Sequence, residues 1–136
     1  SAVAGTTTVS REVERLVDYL DHVLQAIDRI QRYVGSIDES AFLASEMIQD
    51  AVIRNLEVIG EANHNIETQF PEFAATHPEL PLAFAYQMRN AVAHGYYKVD
   101  LAIVWRTVTT DLLNFRVLVK VATVGLAAAL RENPAA

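Results

Sequence analysis

The sequence predicts an all-α protein, an antiparallel bundle of four to five helices that forms a single domain. Apolar residues recur at steps of three and four over long stretches, and no stretch alternates apolar and polar residues as a half-buried strand does. The connections are short, which favours antiparallel neighbours. A chain of 136 residues, 51% of them hydrophobic, can bury one ordinary core.

The first helix is predicted to begin at an N-cap, Ser10, and to end at Gly35. We expect residues 1–9 to be a disordered tail or a remnant added for expression. The domain is therefore predicted to span residues 10–132, followed by a frayed tail at 133–136. The helix is identified by its apolar positions, which are Val13, Leu16, Val17, Leu20, Val23, Leu24, Ile27, Ile30 and Val34.

A second helix is predicted to begin at Ser36, because Glu39 three residues later completes a capping-box pattern. It is expected to continue to about Ile66. The helical period then fails from residue 69 to 81, where three prolines predict a loop with one short turn around residues 72–75.

A third helix is predicted from Pro81 to Gly95, and Asp100 is predicted to cap a long fourth helix. The most apolar stretch, residues 117–130, is interrupted by Lys120 and other residues. It is therefore expected to be too short and too broken to span a bilayer, and we predict no membrane partner.

The net charge of −6 and the sequence pI near 5.1 count against a general nucleic-acid binder, which normally carries a basic surface. The chain has no cysteine, which excludes disulfides and thiolate metal sites and fits a cytoplasmic protein. The sequence has no dense carboxylate cluster, so neither a metal nor another cofactor is expected.

Arg89 and His94 are candidates for catalysis. Five residues along a continuous helix correspond to about 500°, so the two side chains would point roughly 140° apart. They can converge on one site only if the helix ends near His94, where Gly95 follows, or if a second copy supplies the partner. Asn90 shares a helix face with His94 and could hold its imidazole.

Histidine titrates in the range needed to move a proton to or from a ribose or leaving-group oxygen, and arginine offers a fixed cation for a phosphorane. An Arg–His pair at this spacing also occurs by chance. In that alternative, Arg89 is a solvated or capping residue and His94 is a structural histidine at a helix end.

The pattern Arg89-x4-His94-x-Tyr96 resembles the R-x4-H-x-Y motif of the HepT branch of the HEPN superfamily. The flanking residues are also similar, with Met88 before the motif and Tyr97-Lys98-Val99-Asp100 after it. A second similar segment is residues 53–62, Ile-Arg-Asn-Leu-Glu-Val-Ile-Gly-Glu-Ala. The resemblance covers roughly residues 10–130.

This resemblance implies a HEPN-like bundle that forms a homodimer, with two motifs facing one cleft. It implies a metal-independent endoribonuclease toxin whose substrate is RNA, for example tRNA or mRNA. The implied antitoxin is an MntA-like minimal nucleotidyltransferase that transfers AMP to Tyr96. Arg89 and His94 would be catalytic, and Asn90 would support the site.

Three further residues are possible RNA contacts, and each has an alternative role. Tyr97 could pack beneath the motif, Lys98 could add charge to the cleft, and Arg54 could instead pair with Asp50, Glu57 or Glu61. The alternative function is a non-catalytic binding subunit that partners a minimal nucleotidyltransferase, which the acidic pI favours.

Overall fold

The computed structural model describes residues 2–80 and 100–132, and side chains from Ser10 onward within those ranges. All the secondary structure described there is helical, which confirms the predicted all-α fold. The elements are α1 (Ala2–Val34), α2 (Glu39–Leu43), α3 (Glu46–Gln69), α4 (Pro71–Thr76), α5 (Leu101–Arg106), a π-helical turn (Thr107–Asp111) and α6 (Leu112–Glu132).

Helix α1 packs against both α3 and α6 and is the centre of the described bundle. Two hydrogen bonds give its direction relative to α3. The Tyr19 hydroxyl donates to Gln69 Oε1 at 3.3 Å, and Arg29 Nε donates to Asn55 Oδ1 at 2.7 Å. Later residues of α1 therefore meet earlier residues of α3, so the two helices are antiparallel, as predicted.

The first helix begins at Ala2, so the predicted N-cap at Ser10 is wrong. Residues 2–10 contain no proline, and nothing in them stops the helix from extending toward the N-terminus. The helix ends at Val34, as predicted. A Cβ at Gly35 would lie 2.6 Å from the Gln31 carbonyl oxygen, so glycine is needed there for steric reasons. The domain boundaries at residues 10 and 132 stay predictions.

The predicted capping box at Ser36 and Glu39 is also wrong. Asp38 is the N-cap of α2, and its Oδ1 accepts a hydrogen bond from the Ala41 N–H at 2.9 Å. The carboxylate of Asp38 reaches the free N–H groups of the first turn, so the helix begins after Asp38 rather than after Ser36.

The predicted second helix is divided into α2 and α3 at Ser45. The Ser45 Oγ accepts from the Ile48 N–H at 3.2 Å and caps α3. Gln49 Nε2 donates to the carbonyl oxygens of Phe42 and Leu43, at 2.9 and 3.1 Å, and so satisfies the end of α2. The Gln49 and Ser45 side chains therefore satisfy backbone groups that a continuous helix would have paired internally, and the helix is interrupted between Leu43 and Glu46.

The short turn predicted around residues 72–75 is confirmed as α4, and the predicted cap of the last helix is confirmed at Asp100. The Asp100 Oδ1 accepts from the N–H groups of Ala102 and Ile103, at 3.0 and 3.3 Å. The helix predicted over residues 81–95 and the tail at 133–136 lie outside the described residues.

The described core lies where α1, α3 and α6 meet. Phe42 anchors α2 in it, with its ring centroid 5.3 Å from that of Trp105 on α5. The largest side chains that are fully buried there are Phe42, Leu20, Ile27, Ile30, Ile59, Ile66, Val23, Val52, Val104, Val108 and Val119.

By length and composition alone, the continuous helix Leu101–Glu132 could cross a membrane. Its most apolar window has a mean hydropathy of 1.6, and 22% of that window is buried in the bundle. We expected the C-terminal apolar stretch to be too short and too interrupted to span a bilayer. By length and composition that expectation is wrong, because the stretch is part of this longer helix. The core helix of a soluble protein passes the same test, and the lack of a membrane partner stays a prediction.

Candidate functional site

The residues of the predicted catalytic motif lie within residues 81–99, outside the described part of the chain. Their roles and mutual geometry therefore stay predictions. The residues concerned are Arg89, Asn90, His94, Tyr96, Tyr97 and Lys98.

The residues that flank this segment are both held by the bundle. Leu80 is buried in the core, and its N–H donates to the His77 carbonyl at 3.0 Å. Asp100, at the other end, caps α5. The motif segment is thus connected at both ends to fixed points of the described structure.

Charge is divided unevenly along the chain, and the division favours the motif segment as an anion site. Residues 80–99 contain Arg89, Lys98 and His94 but no Asp or Glu. Residues 1–79 have five Lys and Arg against fourteen Asp and Glu, a formal charge of −9, whereas residues 80–132 have six against three, a formal charge of +3. The acidic character thus belongs to the N-terminal part of the chain.

Arg54 is the one predicted site residue that the structure describes. Its side chain is exposed and lines a groove of about 530 Å³ between α1 and α3, whose other lining residues are Tyr19, His22, Glu57, Val58, Glu61, Ala62 and Asn65. Within residues 10–80 and 100–132, Arg54 forms no ion pair with Asp50, Glu57 or Glu61. The alternative of an ion pair on its own helix is therefore not observed.

The neighbouring Asn55 has a structural role, although sequence reasoning grouped it with Arg54 in one family-like segment. Adjacent helical residues point about 100° apart, so Asn55 faces the core while Arg54 faces solvent. The Asn55 amide accepts from Arg29 Nε and donates from Nδ2 to the Ala51 carbonyl at 2.9 Å. The family-like segment thus combines a packing residue with an accessible cation.

Sequence reasoning missed Asn63, a second buried amide on α3. Its side chain is 0% exposed, and neither Nδ2 nor Oδ1 has a hydrogen-bond partner among the residues that the structure describes. A buried polar group without a partner costs about 1–3 kcal/mol. Asn63 lies between Ile59 and Ile66 on the buried face of α3. In the sequence, a polar residue at helical spacing within an apolar row is the pattern that could have identified it.

No group of three or more His, Asp or Glu side chains that could hold a metal ion occurs among the described residues. The groove beside Arg54 offers groups for hydrogen bonding: the Arg54 cation, the carboxylates of Glu57 and Glu61, the His22 imidazole and the Asn65 amide. It does not offer a set of metal ligands.

A model of the ribonuclease HepT-like family matches residues 23–122. The chain belongs to the HepT-like family. The matched region includes both the Arg89–Tyr96 motif and the segment that contains Arg54 and Asn55. It begins after Tyr19 and His22, so the two residues of α1 that line the groove both lie outside the family match.

The HepT-like assignment is supported by individual relatives. The chain is 39% identical over 95 residues to a protein of Thermococcus cleftensis named "Probable ribonuclease HepT". The aligned region covers 70% of this chain and 84% of that protein. It is 32% identical over 94 residues, or 69% of this chain and 84% of the relative, to a Methanocaldococcus jannaschii protein named "Putative RNase".

A third HepT-like relative, also from Methanocaldococcus jannaschii, has a name that combines gamma-glutamylcyclotransferase and RNase. It is 36% identical over 94 residues, which are 69% of this chain but 41% of that longer protein. No solved structure is significantly similar to the chain.

Proposed function

We propose that this chain is a metal-independent RNA endonuclease and the toxin of a HEPN/MNT toxin–antitoxin pair. The observation that carries the proposal is the complete Arg89-x4-His94-x-Tyr96 pattern within the region that matches the family. The acid-free stretch around the motif and relatives whose names include ribonuclease or RNase support it.

The chemistry requires few groups. The ribose 2′-oxygen attacks the adjacent phosphorus, the bond from phosphorus to the 5′-oxygen breaks, and a proton leaves the 2′-hydroxyl while another reaches the 5′-oxygen. His94 exchanges one of these protons as general acid or base. Arg89 stabilises the extra negative charge on the phosphorane with a permanently charged, two-pronged donor.

The active unit is a homodimer in this proposal. On one continuous helix Arg89 and His94 diverge by roughly 140°, and a second copy can supply the missing partner across a shared cleft. Two acid-free segments facing each other also double the local positive charge. Asn90 orients His94, whereas Lys98, Tyr97 and Arg54 contact the RNA.

Tyr96 is the point of control. An MntA-like nucleotidyltransferase provides the antitoxin activity: the Tyr96 phenol oxygen attacks the α-phosphorus of ATP and pyrophosphate leaves. The AMP that remains adds bulk and negative charge two residues from His94, and it repels the RNA phosphate. The pair acts in the cytoplasm, where both ATP and RNA are present.

The second candidate is a non-catalytic subunit that binds the nucleotidyltransferase. The observation that favours it is the net charge of −6, because an acidic protein repels RNA at long range. The two candidates differ in their requirement for His94. The enzyme needs the imidazole, whereas a binding subunit does not.

A growth assay separates the two candidates. Cells express the wild-type chain or His94→Ala, each with and without the transferase from the same gene neighbourhood. The enzyme predicts that the wild type alone arrests growth and that His94→Ala does not. Equal growth of both strains, with both proteins folded and present in equal amounts, favours the binding subunit.

Intact-mass measurement tests the control step separately. Incubation of the purified chain with transferase and ATP is expected to add the mass of one or more AMP units, and Tyr96→Phe is expected to abolish the addition. Undiminished labelling of Tyr96→Phe would show another acceptor, and Tyr97→Phe is the variant to examine next.

A further inference from the structure

The groove between α1 and α3, which we call the Arg54 groove, has the size and the chemistry of a ligand site. Its volume of about 530 Å³ lies within the roughly 300–1,000 Å³ that is typical of sites for small molecules. Tyr19 and His22 of α1 form one wall, and Arg54, Glu57 and Asn65 contribute polar groups from α3. Several hydrogen-bonding groups of different kinds thus face one space.

Arg54 and Glu57 have opposite charges and lie three residues apart on α3, a spacing at which such side chains often pair. Within residues 10–80 and 100–132, neither of them forms an ion pair. Arg54 is exposed and Glu57 is half-buried. A guanidinium and a carboxylate that line the same groove are therefore both available to a ligand.

The charges of the groove determine where each part of a nucleotide can lie. The carboxylates repel a phosphate from the middle of the groove, whereas a neutral base with N–H groups can enter it. Glu61, the second carboxylate, already has an interaction partner within the molecule, so the base is assigned to Glu57. Arg54 precedes Glu57 by about 4.5 Å along the helix axis, and its long side chain can hold the phosphate of the same nucleotide.

Guanine is the base whose pairing edge matches a carboxylate. Its N1–H and N2–H groups are adjacent donors, and the two oxygens of Glu57 are adjacent acceptors. On the same edge, adenine and cytosine each present one donor beside an acceptor, and uracil presents a single donor between two acceptors. Glu57 can therefore form two hydrogen bonds with guanine and one with any other base.

The other walls of the groove complement the rest of a guanine. The Asn65 amide and the His22 imidazole can donate to the acceptors O6 and N7. The Tyr19 ring is held by the hydrogen bond from its hydroxyl to Gln69 and by an edge contact with Phe70, whose ring centroid is 6.3 Å away. A fixed aromatic ring is a surface on which an unpaired base can pack.

We propose that the Arg54 groove binds an unpaired guanine residue of RNA, with Glu57 accepting hydrogen bonds from its pairing edge and Arg54 holding its phosphate. The guanine must be unpaired because a duplex occupies that edge. This inference rests on the proposed function for RNA as the larger ligand, and it adds a base preference and the residue that determines it. Free guanosine monophosphate has the same chemistry, so the test includes both sources.

Titration calorimetry of the full chain with mononucleotides measures the base preference. These probes contain no phosphodiester bond, so binding is measured apart from ribonuclease activity. Guanosine monophosphate is expected to bind at least about 10-fold more tightly than inosine monophosphate, which lacks the 2-amino group, and than uridine monophosphate. Equal affinities for the guanosine and inosine nucleotides would overturn the inference, and so would no binding at millimolar concentration.

Glu57→Gln is the decisive variant because it changes the hydrogen bonding of the groove but hardly its shape. Glutamine presents one acceptor beside one donor, which matches the pairing edge of adenine. The variant is expected to lose about 10-fold in affinity for guanosine monophosphate and to gain affinity for adenosine monophosphate, a reversal that a purely structural role would not produce. A folded Glu57→Gln that binds both nucleotides as the wild type does overturns the inference.

Glu46→Gln is the matched control, because Glu46 is exposed in the first turn of α3 and does not line the groove. It is expected to bind both nucleotides as the wild type does. Arg54→Ala separates the phosphate contact from the base contact. It should weaken all the monophosphates a few-fold and leave the affinity for guanosine, which has no phosphate, unchanged. An equal loss for guanosine would contradict the assigned orientation.

Short single-stranded RNAs distinguish the two sources of the guanine. Trinucleotides with 2′-O-methyl groups cannot be cleaved, because the attacking oxygen is blocked. The sequence UGU is expected to bind more tightly than guanosine monophosphate and at least about 10-fold more tightly than UUU. Weaker binding of UGU than of the mononucleotide would assign the groove to a free nucleotide and overturn the RNA contact.

The outcomes also separate this inference from the proposed function. A chain that cleaves RNA but shows no Glu57-dependent preference for guanine contradicts this inference only. A chain that binds guanine through Glu57 but leaves RNA intact contradicts only the proposed function.

Discussion

Arg29 on α1 donates from Nε to Oδ1 of Asn55 on α3 at 2.7 Å, and this contact ties together the two helices that share the longest interface of the described bundle. Asn55 is buried and also donates to the Ala51 carbonyl. Its amide therefore has a partner on both sides. The adjacent Arg54 remains exposed, so the family-like segment contributes separately to the fold and to the surface.

Asn55→Ala is expected to lower the free energy of unfolding by about 1–3 kcal/mol. The substitution removes the acceptor of a partly buried guanidinium and the donor to a backbone carbonyl. Urea unfolding at neutral pH measures the change. Asn114→Ala, at an exposed position of α6, is the control and should stay within about 0.5 kcal/mol of the wild type. Equal stability of the two variants would contradict the structural role of Asn55.

Asn63→Leu is expected to raise the free energy of unfolding by about 1–2 kcal/mol. The leucine has a similar shape, fills the same buried position and leaves no unpaired amide. The same urea titration measures it, with Asn65→Leu at the half-buried groove position as control. A marked loss of stability would mean that the Asn63 amide has a partner in solution.

The ion pair of Asp28 and Arg116 is expected to contribute little to the free energy of unfolding. The two side chains are 41% and 37% exposed, and solvent screens their attraction. A double-mutant cycle with Asp28→Asn and Arg116→Gln should give a coupling of at most about 1 kcal/mol, smaller in 1 M salt. A coupling of several kcal/mol that is insensitive to salt would contradict this estimate.

Through Arg116, the Asp28–Arg116 pair should not make the free energy of unfolding depend on pH near neutrality. The hydrogen bond that Arg116 donates to the Asp28 carboxylate, and next the negative charge of that carboxylate, raise the pKa of Arg116 above its ordinary value. Because the folded-state pKa is raised, the stabilisation is fully present below the unfolded-state pKa of arginine. It is lost only as the pH rises through the higher folded value, far above neutrality.

Arg54→Ala is expected to weaken RNA binding a few-fold without changing stability. The guanidinium is exposed and has no ion pair with another described residue, so its removal leaves no buried group unpaired. If Arg54 contacts one phosphate, the slope of log affinity against log salt should fall by about one. Arg32→Ala, at an exposed position of α1 outside the groove, is the control. Identical RNA binding by the wild type and both variants would remove Arg54 from the substrate contacts.

Much of the fold could be predicted because it depends on periodicity and on single capping residues. The apolar stripe of α1 and the cap at Asp100 were both readable from the sequence. The errors at Ser10 and Ser36 have different causes: the first helix extends past Ser10 to Ala2, whereas at Ser36 the cap of α2 is the nearby Asp38. Several polar residues near a helix start can each serve as a cap, and the choice depends on tertiary contacts such as the burial of Phe42, which no local pattern encodes.

The family was predictable from the sequence, whereas the catalytic roles within the motif stay predictions. The Arg89–Tyr96 pattern and its family could be recognised from residues close together in the sequence. The groove beside Arg54 and the pairing of Arg29 with Asn55 join residues on separate helices, so they required the packed structure. Asn63 could be recognised as unusual only once its burial was known.

The most direct test of the central claim is cleavage of RNA by the purified chain, verified by mass to carry no AMP, in the presence of EDTA. The account predicts cleavage by the wild type and a loss of at least about 100-fold in both His94→Ala and Arg89→Ala, with folding unchanged. A folded, unmodified wild-type dimer that leaves a varied set of RNAs intact would contradict it.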